Sequence, residues 1–281
     1  MTASCFRVIS GVANKMGACF LEGDSTVIDG AQSDIGESVN RLRRYAEFDR
    51  MNGAYLDWQL GLFRDYLGDR ILEIGCGVGG ILKRLPRCTL IHGLDVEEEV
   101  LQAAVERFRN QPEIQFSLCD LATCDDNQLM ALQHAELDTV VAINVLEHIE
   151  DDVIVLQRAE QLLQPGGHLL LLVPAHQWLY GEYDRLDGHF RRYSKNTLTA
   201  VIEQTGFCVQ SLRYFNAVGA LGWWWQYRVL KKKIHGSTEF GMMNRLIPLL
   251  RRVEGVVAPP FGLSLAAVLR KRGELDVETG K

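Results

Sequence analysis

Between Ile71 and Gly80 the chain reads ILEIGCGVGG, an apolar run carrying Glu73 that gives way to Gly75, Gly77 and Gly79 at every second position. Without a Cβ, glycine lets the backbone turn sharply and come close to a ligand, and a helix starting there presents unbonded N–H groups. The chemistry expected of such a turn is the grip of a nucleotide-like cofactor, with Cys76 inside the turn. Gly75, Gly77 and Gly80 also satisfy G-x-G-x-x-G with Asp95 twenty residues on, so a nicotinamide dinucleotide and its oxidoreductase chemistry fit this motif too. A tight strand-to-helix turn that binds nothing is the plainer reading.

A second group lies in PAHQWLYGEYDRLDGHFRRYSKNTL, where polar and aromatic residues crowd together between apolar or periodic segments. His189 is the candidate general base, because imidazole titrates near neutral pH, and Tyr183 is the candidate beside it. Tyr180, Asp184 and Tyr193 are placed to orient either the base or a substrate. Arg191 and Arg192 suit a carboxylate or phosphate, which planar guanidinium groups hold through paired hydrogen bonds. For each of these there is an equally simple structural role: a histidine bonded into the loop's own scaffold, and arginines that are solvated or paired within the chain.

The elements that must position these residues alternate in kind. Apolar positions from Glu37 to Leu67 recur at three and four residues, predicting one or two amphipathic helices closed by Gly68. Strands follow at Arg70–Ile74, Thr89–Leu94, Ile114–Leu118, Leu137–Ile143 and His168–Val173. Helices are expected at Gly79–Leu85, near Glu97–Phe108 and around Asp151–Leu163. Strands alternating with helices imply right-handed crossovers and a mostly parallel sheet covered on both faces, with ligands at the carboxyl ends of the strands. Ser194 caps a further helix ended by Gly206, and Phe207–Tyr214 alternates as a sixth strand.

Taken in order, these landmarks resemble class I S-adenosylmethionine-dependent methyltransferases, firmly over Leu67–Leu172. ILEIGCGVGG is similar to the family's E-x-G-x-G-x-G signature. In IHGLDVEEEV, the resemblance assigns Asp95 to the ribose hydroxyls, with Val96 next to it, although Asp95 also fits a helix cap. In FSLCDL it gives Asp120 to the adenine amino group and the Leu121 amide to the ring. In DTVVAINVLEHIED it sets Asn144 and Val145 beside the methionine part of the cofactor, and LLQPGGHLLLLVP matches a structural turn before the fifth strand. The implied fold is a doubly wound, seven-stranded, mostly parallel α/β sheet, and the implied cofactor is S-adenosyl-L-methionine. The G-H-x-R-R-Y string at 188–193 resembles a branch acting on glycans, lipids or secondary metabolites. The string does not identify an acceptor; the expected reaction is methyl transfer to oxygen or carbon on a small or lipid-linked molecule held by residues 174–194. A cofactor-binding regulatory module without turnover is the alternative of another class.

The family's seventh strand normally follows the sixth closely, whereas here it waits for GLSLAAVLRKR, leaving 215–261 as a helical insertion far beyond the usual connection of about 4–6 residues. Trp223, Trp224 and Trp225, followed by Arg228 and Lys231–Lys233, suit three roles: packed core, a lid over the acceptor, or peripheral contact with a membrane surface. A second helix is expected at Met242–Val253. A net charge of -6 argues against a nucleic-acid partner bound through its phosphates. Seven cysteines without C-x-x-C spacing suggest neither disulfides nor a metal site, and with no apolar leader or span they predict a cytoplasmic protein. Residues 1–36 read as a loosely ordered leader without chemistry, and 37–281 as the methyltransferase domain, with its cofactor-binding core at 68–173.

Overall fold

Runs of branched aliphatic residues set the centre of the structure. A computed structural model describes residues 47–229 and 237–273. The expected leader, the start of the first helical region and Lys231–Lys233 fall outside them. The strands are Arg70–Ile74 (β1), Leu90–Asp95 (β2), Ile114–Leu118 (β3), Leu137–Ile143 (β4), Leu163–Pro174 (β5), Phe207–Phe215 (β6) and Ser264–Lys271 (β7). They form one seven-stranded sheet in the order β3-β2-β1-β4-β5-β7-β6, with β7 antiparallel to both of its neighbours. This is the mostly parallel, doubly wound sheet expected from the sequence.

Alternation along the central strands divides the core in two. Leu169, Leu171 and Val173 of β5 join Leu72, Val140 and Ala267 on one face, whereas Leu170 and Leu172 join Ile71, Val141 and Val268 on the other. Burying each such side chain contributes about 1.5–3 kcal/mol, and covering both faces is what makes these strands read as continuous apolar runs. The helices doing the covering are Gly53–Gly61 (α1), Glu98–Arg107 (α2), Asp126–Gln133 (α3), Asp152–Leu162 (α4), Glu182–Leu186 (α5), Lys195–Ile202 (α6), Ala217–Trp223 (α7) and Ser237–Val256 (α8). Among the described residues no helix is long and apolar enough to cross a membrane.

Three elements differ from expectation. In place of a helix at Gly79–Leu85 there is a single 3-10 turn, Leu82–Arg84, after which Leu85 is extended. Pro86 explains this, since a proline disfavours helical geometry in the residue before it. Lys83, Arg84 and Arg107 instead fasten this segment to the buried Asp49 carboxylate at 2.8–2.9 Å. Helix α3 was not foreseen, although Asp125 and Gln128 form a reciprocal capping box at its start. Strand β5 begins at Leu163 rather than His168, and the Pro165–Gly167 segment lies where its register against β4 shifts between Leu137 and Thr139.

The described parts of the insertion pack on the sheet. Ile247 of α8 is buried with Leu56, Trp58 and Phe215, and Leu250 packs against them. The expected Met242–Val253 helix is longer than predicted and holds Pro248 within it.

Candidate functional site

The glycine turn sits at the carboxyl end of β1, and its three left-handed glycines have different jobs. A Cβ on Gly75 (φ +68°) would fall 2.6 Å from a Val145 methyl, and one on Gly79 (φ +78°) would fall 2.2 Å from the Phe108 ring. Gly77 (φ +54°) has nothing within 4 Å of that position, so its bare face looks onto open space. The Gly77 amide donates to Asp95 Oδ2 at 2.7 Å, and the Glu97 amide donates to Oδ1 at 3.0 Å. Asp95 therefore closes a turn ahead of the helix without capping it, since the N-cap there is Glu97 and no side chain caps it. A carboxylate has room for about four donors, so two remain for ligand hydroxyls.

Glu73 is buried one residue before the end of β1, and its Oε2 has no hydrogen-bond partner. Burial first, and the nearby Asp95 charge second, push this carboxyl well above the usual carboxylate range, against a hydrogen bond from the Leu82 backbone. A cation placed against such a group favours its ionised form. The neighbouring Cys76 thiol is buried as well, and burial, Glu73 and Asp95 push it well above the usual thiol range. An adenosyl sulfonium amino acid fits this crevice in three respects: bare backbone at Gly77, an orphaned buried carboxyl oxygen, and spare acceptors on Asp95.

The remaining positions expected to meet a cofactor line the neighbouring strand ends. Val96 is 63% exposed directly after β2. Asp120 is exposed after β3 and closes its own turn, accepting from the Ala122 amide at 2.8 Å and the Thr123 hydroxyl at 3.0 Å, while the Leu121 side chain is buried. After β4, Asn144 is exposed with φ +54°, a conformation rare outside glycine, and its amide donates to the Leu172 carbonyl at 2.8 Å. Strain of this kind, about 1–3 kcal/mol, collects at ligand sites. Val145 is half-buried against the turn at Gly75.

Residues 174–194 are less exposed than their composition suggested. Asp184 is fully buried, and its Oδ1 accepts from Arg192 Nε at 2.8 Å, Arg192 Nη2 at 2.7 Å and His189 Nδ1 at 3.0 Å. Burial works to raise its pKa, but the His189 hydrogen bond and Arg192 hold it below the usual carboxylate value. Arg192, buried beneath the Trp223 ring at 4.7 Å, faces the interior and not an acceptor. Tyr193 is buried too and donates to Asp152 Oδ2 at 2.8 Å. Arg191 pairs with Asp152 at 2.8 Å and with the Glu150 carbonyl at 2.6 Å. The bonds of Asp184, Arg191, Arg192 and Tyr193 run to partners inside the chain, as the loop-bracing alternative to an acceptor-gripping role expects.

His189 Nδ1 meets Asp184 and its Nε2 lies 3.3 Å from Asp187 Oδ2. Burial disfavours the imidazolium, yet the bonds to Asp184 and Asp187 and the Glu147 charge raise the His189 pKa to about 9. Tyr180 donates to the His189 carbonyl at 2.7 Å, and Tyr183 packs edge-on against Trp223 with centroids 5.1 Å apart. Of the three tryptophans, Trp223 packs on this loop, whereas Trp224 and Trp225 are exposed.

Sequence reasoning did not single out three further residues. Glu147 is 1% exposed with Oε2 unpartnered, and burial, opposed by His189, raises its pKa to about 7. His148 meets His189 edge-on at 4.6 Å between centroids. His176, at φ +65°, stacks on Tyr214 at 4.9 Å and leaves a buried Nε2 unpartnered. The available signal was an acid and a histidine side by side just past a strand end.

Residues 72–169 match the methyltransferase domain family. The chain is 25% identical over 175 residues to a 37.1 kDa protein in transposon TN4556 of Streptomyces fradiae, covering 61% of this chain but only 48% of that protein. It is 27% identical over 183 residues to the ubiquinone biosynthesis O-methyltransferase of Vibrio vulnificus, covering 58% of this chain and 74% of the relative. In fold it is similar to a chain from the complex between the Haloferax volcanii Trm112 methyltransferase activator and a methyltransferase, with TM-score 0.56, 17% identity and coverage of 84% and 97%. Residues 72–169 match a methyltransferase domain, and together with the Vibrio relative this supports an S-adenosylmethionine-dependent methyltransferase enzyme.

Proposed function

We propose that the chain methylates an oxygen, or failing that a carbon, on a small and largely apolar or lipid-linked acceptor held by residues 174–194 beneath the insertion. One observation carries this reading. Trp178, Phe190 and Trp225 are 54%, 51% and 53% exposed on the acceptor loop and insertion, so the rim of the loop presents aromatic surface beside the charged Glu182, Arg185 and Asp187. A rim of this kind suits an apolar ligand. The name of the Vibrio relative, an O-methyltransferase of ubiquinone biosynthesis, agrees with an oxygen on a lipid-like ring.

When bound, S-adenosylmethionine supplies a methyl group activated on a sulfonium. Within this reading Glu73, Gly75, Cys76, Gly77, Gly79, Asp95, Val96, Asp120, Leu121, Asn144 and Val145 form its seat. Glu73 would face its positive charge, Asp95 would accept from its ribose hydroxyls, and Asp120, Leu121 and Val96 would hold the adenine. The acceptor loop contributes alignment, an effect worth up to about 7–11 kcal/mol in favourable systems. His189, its Nδ1 held by buried Asp184 and its Nε2 3.3 Å from the exposed Asp187, is assigned a positioning part. Tyr183 is the hydroxyl assigned nearest the acceptor.

Incubation with methyl-labelled S-adenosylmethionine and an extract split into lipid, small-molecule, protein and RNA fractions tests the proposal. Label in the lipid or small-molecule fraction, lost with Asp95→Ala, supports it. Label confined to protein or RNA, or no transfer at all, overturns it.

A further inference from the structure

Just past β4, the 3-10 turn Leu146–His148 and the acceptor loop bring Glu147, His148 and His189 together. One ligand atom from each lies within 4.8 Å of the others. We infer that these three side chains form a binding site for a divalent transition-metal ion of the zinc type. Three atoms so spaced fit inside a circle of radius about 2.8 Å, so side-chain shifts of about 1 Å reach the Zn–N and Zn–O lengths of ~2.0–2.2 Å.

Two histidines and one carboxylate make a ligand set that suits zinc, iron or manganese and leaves coordination positions open. Glu147 is the telling member. Its side chain is almost wholly buried, yet Oε2 has no partner, a costly arrangement unless a ligand completes it. The Glu147 carbonyl accepts from the Phe190 amide at 2.8 Å, tying the turn to the loop that carries His189.

The surroundings also match a metal centre. His189 Nδ1 is committed to buried Asp184, which orients the ring and leaves Nε2 as the ligating atom, with Asp187 displaced or added as a fourth ligand. His148 is solvent-exposed, which provides an entry path. The open positions of such an ion would take an oxygen donor of the acceptor, a role that rests on the proposed methyl transfer; the binding itself does not.

The test is therefore binding alone. The untagged full chain, stripped with chelator, is titrated with Zn2+ by calorimetry and with Co2+ by visible absorption, without cofactor or acceptor. One ion per chain is expected, with cobalt bands of nitrogen and oxygen ligation. His148→Ala and Glu147→Gln, which remove ligands, should each weaken binding by at least the roughly 10–100-fold that loss of an outer-shell partner costs, while circular dichroism confirms the fold. His148→Gln, at an exposed position, serves where a variant fails to fold. Absence of binding, unchanged affinity in the folded variants, or thiolate bands from the cysteines overturns the inference. Metal bound without methyl transfer would leave it standing while removing the proposed function.

Discussion

The Gly77 amide donates to the Asp95 carboxylate at 2.7 Å, so the turn after the first strand and the end of the second form one hydrogen-bonded unit. Removing that carboxylate should loosen the turn and also strip an acceptor from the ribose. Asp95→Ala is expected to weaken S-adenosylmethionine affinity by about 1.5–3 kcal/mol. Calorimetry checks this, and an unchanged dissociation constant would contradict the assignment.

Neighbouring glycines should respond differently to the same substitution. Gly79→Ala meets both a left-handed backbone and the Phe108 ring, and should cost about 2–4 kcal/mol of stability. Gly77→Ala meets the backbone strain alone, about 1–2 kcal/mol, but places a methyl where the cofactor is proposed to lie. Thermal melts and cofactor titration of the two variants should therefore rank them in opposite orders.

Asp184→Asn leaves the buried Arg192 guanidinium facing a neutral amide. Stability should fall by about 3–5 kcal/mol, the usual result of breaking one half of a buried pair. The glycine crevice touches none of these groups, so the folded fraction should bind S-adenosylmethionine as before. A denaturant melt read beside cofactor calorimetry distinguishes this from damage to the cofactor seat.

His92 is buried with Nε2 at 2.9 Å from the Ser117 hydroxyl, and burial lowers its pKa to about 4. Above the unfolded value of 6.5 both states are neutral here and nothing is lost. As pH falls from there towards 4, the unfolded chain takes up a proton that the folded one refuses, and stability declines by up to about 3 kcal/mol. His92→Gln should flatten that part of a stability–pH profile measured by urea melts. A slope identical to that of the natural chain would show the acid sensitivity to lie elsewhere.

The sheet was legible because its central strands are buried on both faces: RILEI and LDTVVAI carry their solvent exclusion in their composition. Gly75, Gly77 and Asp95 were legible because a sharp turn at a strand end admits few residue types. The acceptor loop was not. Asp184 and Arg192 read equally well as acceptor contacts or as loop scaffold, since such residues are rarely buried, and only the folded loop reveals that each hides the other. Glu147 and His148 escaped notice because their third neighbour, His189, is brought in by tertiary packing rather than by spacing. The failed helix after β1 turned on Pro86, one residue beyond the periodic segment.

Glu254 near the end of α8 accepts from the backbone amides of Asn216 and Ala217, both at 2.9 Å, and the Leu263 amide returns to the Asn216 carbonyl at 3.0 Å. The chain therefore leaves and rejoins the sheet at one stitched point, like a pendant on a closed ring. Changes of length or sequence that keep Glu254 and the buried Ile247 in place leave the registry of β6 and β7 as it is. The specificity of such an enzyme can then diverge through its pendant, with the nucleoside-gripping half of the sheet left untouched.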